Sequence, residues 1–222
     1  ASLDGALAGV TRAYLVCTPD EGLIPRETAF LAAAKRVGVR HVVKCSAFLA
    51  GEQAPSMNLQ AHGRIERALV ESGMAWTILR PHGFMQTFTL FSWDLIQKAG
   101  VVTGPYGDGT MPLVDVRDVA QVAVRALTEP GHEGKAYDLT GPEDLDFYQV
   151  ADILSRVLGR RVVYLPGSDG EMEMVGKLLG VPEVPREHVR KVSQLVRGHR
   201  CGKVHDTLAQ LGIRPTTYEE FV

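Results

Sequence analysis

Short apolar runs alternate with longer stretches of helical periodicity through the first eighty residues. Ala13-Tyr14-Leu15-Val16-Cys17 reads as a strand. Pro25 to Val37 reads as a helix, with Ala29, Phe30, Ala33 and Val37 on one face and Gly38 as its stop. His41 to Ser46 gives a second strand. A second helix covers about Asn58 to Ser72 and buries Ile65, Leu69 and Val70, and Trp76 to Leu79 gives a third strand. Apolar residues on both faces of the strands, with a helix between each pair, predict a parallel sheet covered by helix layers.

The pattern changes after Pro81. A long amphipathic helix (about Phe84 to Lys98) leads into a glycine- and proline-rich stretch, Gly100 to Pro112, that reads as turns and short strands. Asp115-Val116-Arg117-Asp118 has the form of a helix start, Asp115 as cap and a carboxylate three residues on, so both aspartates read as capping groups rather than catalytic ones. A strand at Ala136 to Leu139, a helix at Phe147 to Leu158 and a strand at Arg161 to Leu165 follow. From Gly167 the chain is helical and more polar. The domain expectation is a main α/β domain over 1–165 and a small helical lobe over 166–222.

With 222 residues, 45% hydrophobic and 23% charged, the composition is that of an ordinary globular chain and sets aside disordered and fibrous classes. A formal net charge of -2 provides no general attraction to nucleic acid or an anionic membrane. The basic run Arg186, His188, Arg190, Lys191, Arg197, His199, Arg200, Lys203 reads as a solvated helix face, with a nucleic-acid contact as the minor alternative. Cys17, Cys45 and Cys201 have no Cys-x-x-Cys spacing and nothing has metal-ligand spacing, so no metal is expected. No apolar run approaches the roughly 20 residues of a membrane span, and the start lacks signal-peptide features. A reduced, cytoplasmic location is the expectation.

Several segments, in this order, resemble the NmrA-like, atypical short-chain dehydrogenase/reductase proteins. They are Ala13 to Pro19, Ala32 to Val39 leading to His41-Val42-Val43-Lys44-Cys45-Ser46-Ala47, His62-Gly63-Arg64-Ile65-Glu66, Thr77-Ile78-Leu79-Arg80-Pro81, Phe84-Met85-Gln86, Val114 to Ala120, and Thr217 to Phe221. The resemblance implies a Rossmann-like doubly wound parallel sheet and an NAD(P) cofactor, NADP preferred. In that family a strand, a glycine loop and a helix N-terminus come first and hold the cofactor pyrophosphate. No such segment is found here, and Gly104-Pro105-Tyr106-Gly107-Asp108-Gly109 reads as a turn. The chain is therefore expected to open in mid-domain, with 1–165 as a partial NAD(P)-binding domain. Its strand at 13–17 is then an exposed apolar edge able to drive self-association.

The resemblance also names candidates. Ser46, at a strand end on the ligand edge, resembles the serine facing nicotinamide and substrate, although a strand-end serine bonding a nearby loop has the same type. His62 and Asn58 stand where a Tyr-x-x-x-Lys motif would place its lysine and tyrosine, so the usual proton donor is absent. His62 is then a ribose ligand or proton donor, or else a helix histidine without a role. Thr18, Pro19, Pro81, His82, Gly83 and Phe84 are implied cofactor contacts, strand termination being the other reading for Pro81 and Gly83. Met85 and Phe88, with Phe91 and Trp93 nearby, suit a flat aromatic substrate, although Phe84, Phe88 and Phe91 share a helix stripe and some must be core.

Two functions from different classes fit. One is hydride transfer from NAD(P)H to a quinone-like or conjugated aromatic acceptor, inactive if the glycine-loop segment is required and missing. The other is a non-catalytic NAD(P)-sensing regulator, since one fold hosts both roles.

Overall fold

A computed structural model describes residues 2–222, the side chains of Leu90 and Phe91 excepted. In chain order the elements are α1 (Leu3–Leu7), β1 (Arg12–Leu15), α2 (Leu23–Val37), β2 (His41–Cys45), α3 (Met57–Glu71), β3 (Ala75–Pro81), α4 (Met85–Ala99), β4 (Val101–Gly104) and α5 (Val116–Thr128). They continue with β5 (Lys135–Leu139), α6 (Phe147–Leu158), β6 (Val163–Pro166), α7 (Asp169–Leu178), α8 (Glu183–Arg197), α9 (Thr207–Gln210) and α10 (Tyr218–Phe221). Among the described residues no helix is long and apolar enough to cross a membrane. The chain forms two compact units, one from 1–81 and 119–139, the other from 82–118 and 140–222.

Unit 1 holds a four-stranded sheet in the order β1-β2-β3-β5, every pairing parallel. All five residues of β2 are buried, as expected of an inner strand with helices on both faces. Leu23, Leu31, Ala33 and Ala34 of α2 and Ile65 and Leu69 of α3 join Leu15, Val42 and Ile78 of the strands in one core. Ser56 caps α3, its hydroxyl accepting the Leu59 N–H, and Gly38 ends α2 in a left-handed conformation. Among the described residues β1 pairs only with β2, so it is a sheet edge, with Tyr14 half-exposed and Val16 58% exposed.

Unit 2 packs around a second core that includes Met85, Ile96, Met111, Leu113, Phe147, Leu154, Tyr164 and Tyr218. Its parallel pair β4-β6 lies beside α4 and α6, and Asp146 with Gln149 forms a reciprocal cap at the start of α6. Tyr106 stacks on Phe147 with ring centres 4.3 Å apart, and Phe88 meets both rings at 5.4 and 5.3 Å. Residues 105–108, just after β4, form a turn; the Arg197 guanidinium donates to the Pro105 carbonyl and pairs with Asp169 at 2.7 Å.

Asp115 and Asp118 serve local structure. Asp115 accepts the Arg117 N–H at 2.7 Å, and its ion pair with Arg117 holds its carboxyl below the usual carboxylate range against the opposing effect of burial. Asp118 accepts from the backbone N–H and the hydroxyl of Thr216, which fastens the C-terminal segment to this unit.

Candidate functional site

Parallel strands bring their carboxyl ends to one edge, where ligands bind in open α/β sheets. In unit 1 the register sets Leu15 beside Lys44 and Cys45 beside Leu79, so the residues following β1 and β2 emerge together. Thr18 and Pro19 are exposed there. Their loop is held by Arg26, which donates to the Thr18 carbonyl at 2.9 Å and pairs with Asp20 at 2.6 Å. Pro81 ends β3, buried, its carbonyl accepting the Phe48 N–H at 2.9 Å.

Ser46 is 5% exposed. Its N–H donates to the Leu79 carbonyl at 2.7 Å, which extends the β2–β3 pairing and fixes where the side chain begins. Its hydroxyl donates to Glu66 Oε1 at 2.5 Å. Glu66 is in turn gripped by Arg80 through Nε at 3.1 Å and a terminal nitrogen at 2.6 Å. A hydroxyl has one proton, and here it is given to a carboxylate. The Ser46 oxygen therefore keeps its lone pairs and can act only as an acceptor toward a ligand.

Asn58, His62 and Glu66 follow at four-residue intervals along α3 and so share one face; all three are buried. The Asn58 carboxamide oxygen has no hydrogen-bond partner. His62 Nδ1 stands 3.3 Å from Lys44 Nζ. Lys44 and Glu27 are both 0% exposed and form an ion pair of 2.5 Å, and Lys44 also donates to the Cys45 carbonyl at 3.2 Å. The loop between β2 and α3 lies directly on this helix. A Cβ on Gly63 would stand 2.5 Å from the Gly51 backbone, so only glycine fits beside His62.

In unit 2 the ring of His82 is fully engaged with backbone. The Gly83 N–H donates to Nδ1 at 2.8 Å, so Nε2 carries the proton and donates to the Cys201 carbonyl at 2.6 Å. Burial pushes the pKa of this histidine down to about 4. Gly83 leaves no space for a side chain, because a Cβ would lie 2.8 Å from both the Met111 sulfur and the Phe88 ring. Phe84 precedes α4 and bridges to Val114. Met85 is 2% exposed inside the core, Phe88 is half-buried in the aromatic cluster, and Trp93 is exposed. The Phe91 side chain lies outside the described residues.

The structure thus brings Ser46 and His62 together with Asn58, Glu66, Lys44 and Glu27 in unit 1. Sequence reading missed the last three and Arg80. The signal was present: Lys44 interrupts the apolar run Val42-Val43-Lys44-Cys45, and Glu27 occupies the same helix stripe as Leu23 and Leu31. Two ionisable residues at core positions of adjacent elements are expected to pair, because an unpaired buried charge is so costly.

A parallel α/β unit with a polar cluster at the carboxyl edge defines a class of ligand-binding, usually cofactor-binding, proteins. The chain belongs to the NmrA-like family, whose model matches residues 1–222. It is 34% identical to an NAD(P)H azoreductase of Xenophilus azovorans over 99% of this chain and 77% of that one. Among solved structures it is similar to an NADPH-dependent quinone oxidoreductase of Escherichia coli complexed with NADPH, with 28% identity, a TM-score of 0.86 and 99% and 77% coverage. It is also similar to the triphenylmethane reductase of Citrobacter sp. complexed with NADP(H), with 27% identity, a TM-score of 0.85 and 98% and 77% coverage.

Proposed function

We propose that this chain carries out NAD(P)H-dependent reduction of a quinone-like or conjugated aromatic acceptor, with NADPH as the preferred donor. The observation that carries this reading is the polar set on the carboxyl edge. Ser46 is an obligate acceptor, His62 is a buried ring held against an ammonium, and Asn58 has an unpaired carboxamide oxygen. Such a set suits the hydroxyl and carboxamide groups of a nicotinamide nucleoside. Thr18, Pro19 and Pro81 of the same unit are the further cofactor contacts in this reading.

A bound nicotinamide would supply the hydride. What the chain supplies is orientation. Asn58 stands where the resemblance would place a proton-donating tyrosine, and the Ser46 hydroxyl donates its proton in a hydrogen bond to Glu66. A ketone, which leaves a localised alkoxide, needs a donor in place; a quinone or azo dye leaves a delocalised anion that water can protonate later. The similarity to azo-, quinone- and triphenylmethane-reducing proteins supports the same acceptor class.

The test is NADPH titration by nucleotide fluorescence, followed by NADPH oxidation with a soluble quinone. Saturation below roughly 1 mM with steady turnover is expected. Binding of both cofactor forms without turnover would instead favour a dinucleotide sensor. Self-association through the open edge of β1, where Tyr14 and Val16 are exposed, belongs to the same proposal.

A further inference from the structure

Among the described residues only two other than glycine have a positive φ, Leu49 at 64° and His199 at 49°. Histidine enters the left-handed region several-fold more readily than most residues, and His199 sits in the turn that ends α8, its N–H on the Val196 carbonyl. Leucine has no such ease, because its Cβ is forced toward the following carbonyl oxygen. The Ala50 N–H donates to the Ala47 carbonyl at 3.1 Å and Phe48 has no positive φ, so Ala47 to Ala50 form a type II turn with Leu49 in its third position. That position calls for glycine or asparagine.

The turn is fastened on both sides. The Phe48 N–H donates to the Pro81 carbonyl at 2.9 Å and the Gly51 N–H to the Leu59 carbonyl at 3.2 Å, while the Gln60 carboxamide holds the Ala54 carbonyl at 2.8 Å. Burial does not account for the leucine either: it is 40% exposed and belongs to the core of neither unit. A strained apolar residue that folding does not use points to a contact made with a ligand. Leu49 follows Ser46 by three residues, a reach of at most roughly 11 Å, and so lies on the same carboxyl edge. We propose that Leu49 is a specificity-determining residue, the apolar contact on which the flat face of a quinone-like or conjugated aromatic acceptor rests. The inference rests on the reading of this edge as a reductase site. A small polar carbonyl compound has no such face and would gain nothing from it.

The experiment compares the wild-type chain with L49N, which suits the turn but is polar, and L49M, which keeps an apolar side chain. L49N should melt no lower than the wild type and bind NADPH equally well, while its KM for naphthoquinone rises about tenfold with kcat little changed. L49M should recover most of that loss. A lower thermal midpoint in L49N would make Leu49 an ordinary packing residue, and an unchanged KM would remove it from the acceptor site; either result overturns the proposal. A second readout needs no turnover: leucine methyl NMR of the wild-type protein with excess NADP+, the Leu49 signals identified by their absence in L49M. Titrated naphthoquinone should shift them upfield through its ring current. No shift would overturn the proposal even if the wild type is an active reductase. A shift without any turnover in the NADPH assay would keep Leu49 as the acceptor contact and remove the reductase reading instead.

Discussion

His62 in unit 1 and His82 in unit 2 are both buried, both have Nδ1 in an accepting role, and yet they are held by different kinds of partner. His82 is satisfied by two backbone groups, the Gly83 N–H and the Cys201 carbonyl, and so pins two stretches of chain to each other. His62 meets a side-chain ammonium that is itself anchored by a buried carboxylate. A backbone clamp brings no charged partner into the core; a paired charge in a core costs desolvation and contributes little net stability. The lesson is that the polar core of unit 1 is explained poorly by folding alone, whereas the histidine of unit 2 is explained fully by it.

The largest effect that would break this contrast is at Lys44. Lys44→Met leaves Glu27 buried and unpaired, and urea unfolding should register a loss of about 3–5 kcal/mol. The E27L/K44M pair should recover most of that loss. If the single and double variants are equally unstable, the ion pair is an ordinary stability element and the contrast disappears.

Next in size is the pH response of His82. Its folded pKa of about 4 lies below the ordinary histidine value of 6.5, so the unfolded chain takes up the proton first as pH falls. The stability that this site contributes is complete above about pH 6.5 and is lost progressively down to about pH 4, by roughly 3 kcal/mol. His82→Gln should lower stability at pH 7.5 and flatten its slope between pH 7 and 5. An unchanged slope would mean that burial of this ring does not depress its pKa.

Gly83→Ala should be smaller, about 1–3 kcal/mol from the collision with Met111 and Phe88, read as a shift of the thermal midpoint. Smallest in stability is Val16→Lys, at the exposed residue that follows β1, within about 0.5 kcal/mol. It should nevertheless reduce self-association in sedimentation velocity, since an edge lysine opposes strand pairing. Identical sedimentation of variant and parent would remove β1 from any interface.

The elements of this fold were legible because apolar periodicity is local. His41 to Ser46 and Phe147 to Leu158 lie within a residue of their observed spans, and Gly38 stops its helix as expected. Ser46 and His62 were legible through a family resemblance and their place after β2 and on α3. What fixes them was not, because Lys44, Glu27, Glu66 and Arg80 act across elements, through contacts separated by 14 to 20 positions that no local pattern encodes. His82 shows another long-range arrangement that its local sequence does not encode. Its sequence position suggested a ligand contact, while both ring nitrogens are engaged by backbone up to 119 residues away.

The most direct test of the account is steady-state NADPH oxidation with a soluble quinone by the wild-type chain, S46A and H62A, with circular dichroism confirming that all three are folded. The account predicts measurable turnover by the wild type and at least a tenfold loss of kcat/KM, about 1.4 kcal/mol in transition-state stabilisation, in each variant. Full activity in both variants would place the chemistry elsewhere, and NADPH binding by the wild type without any turnover would contradict the assignment as a reductase.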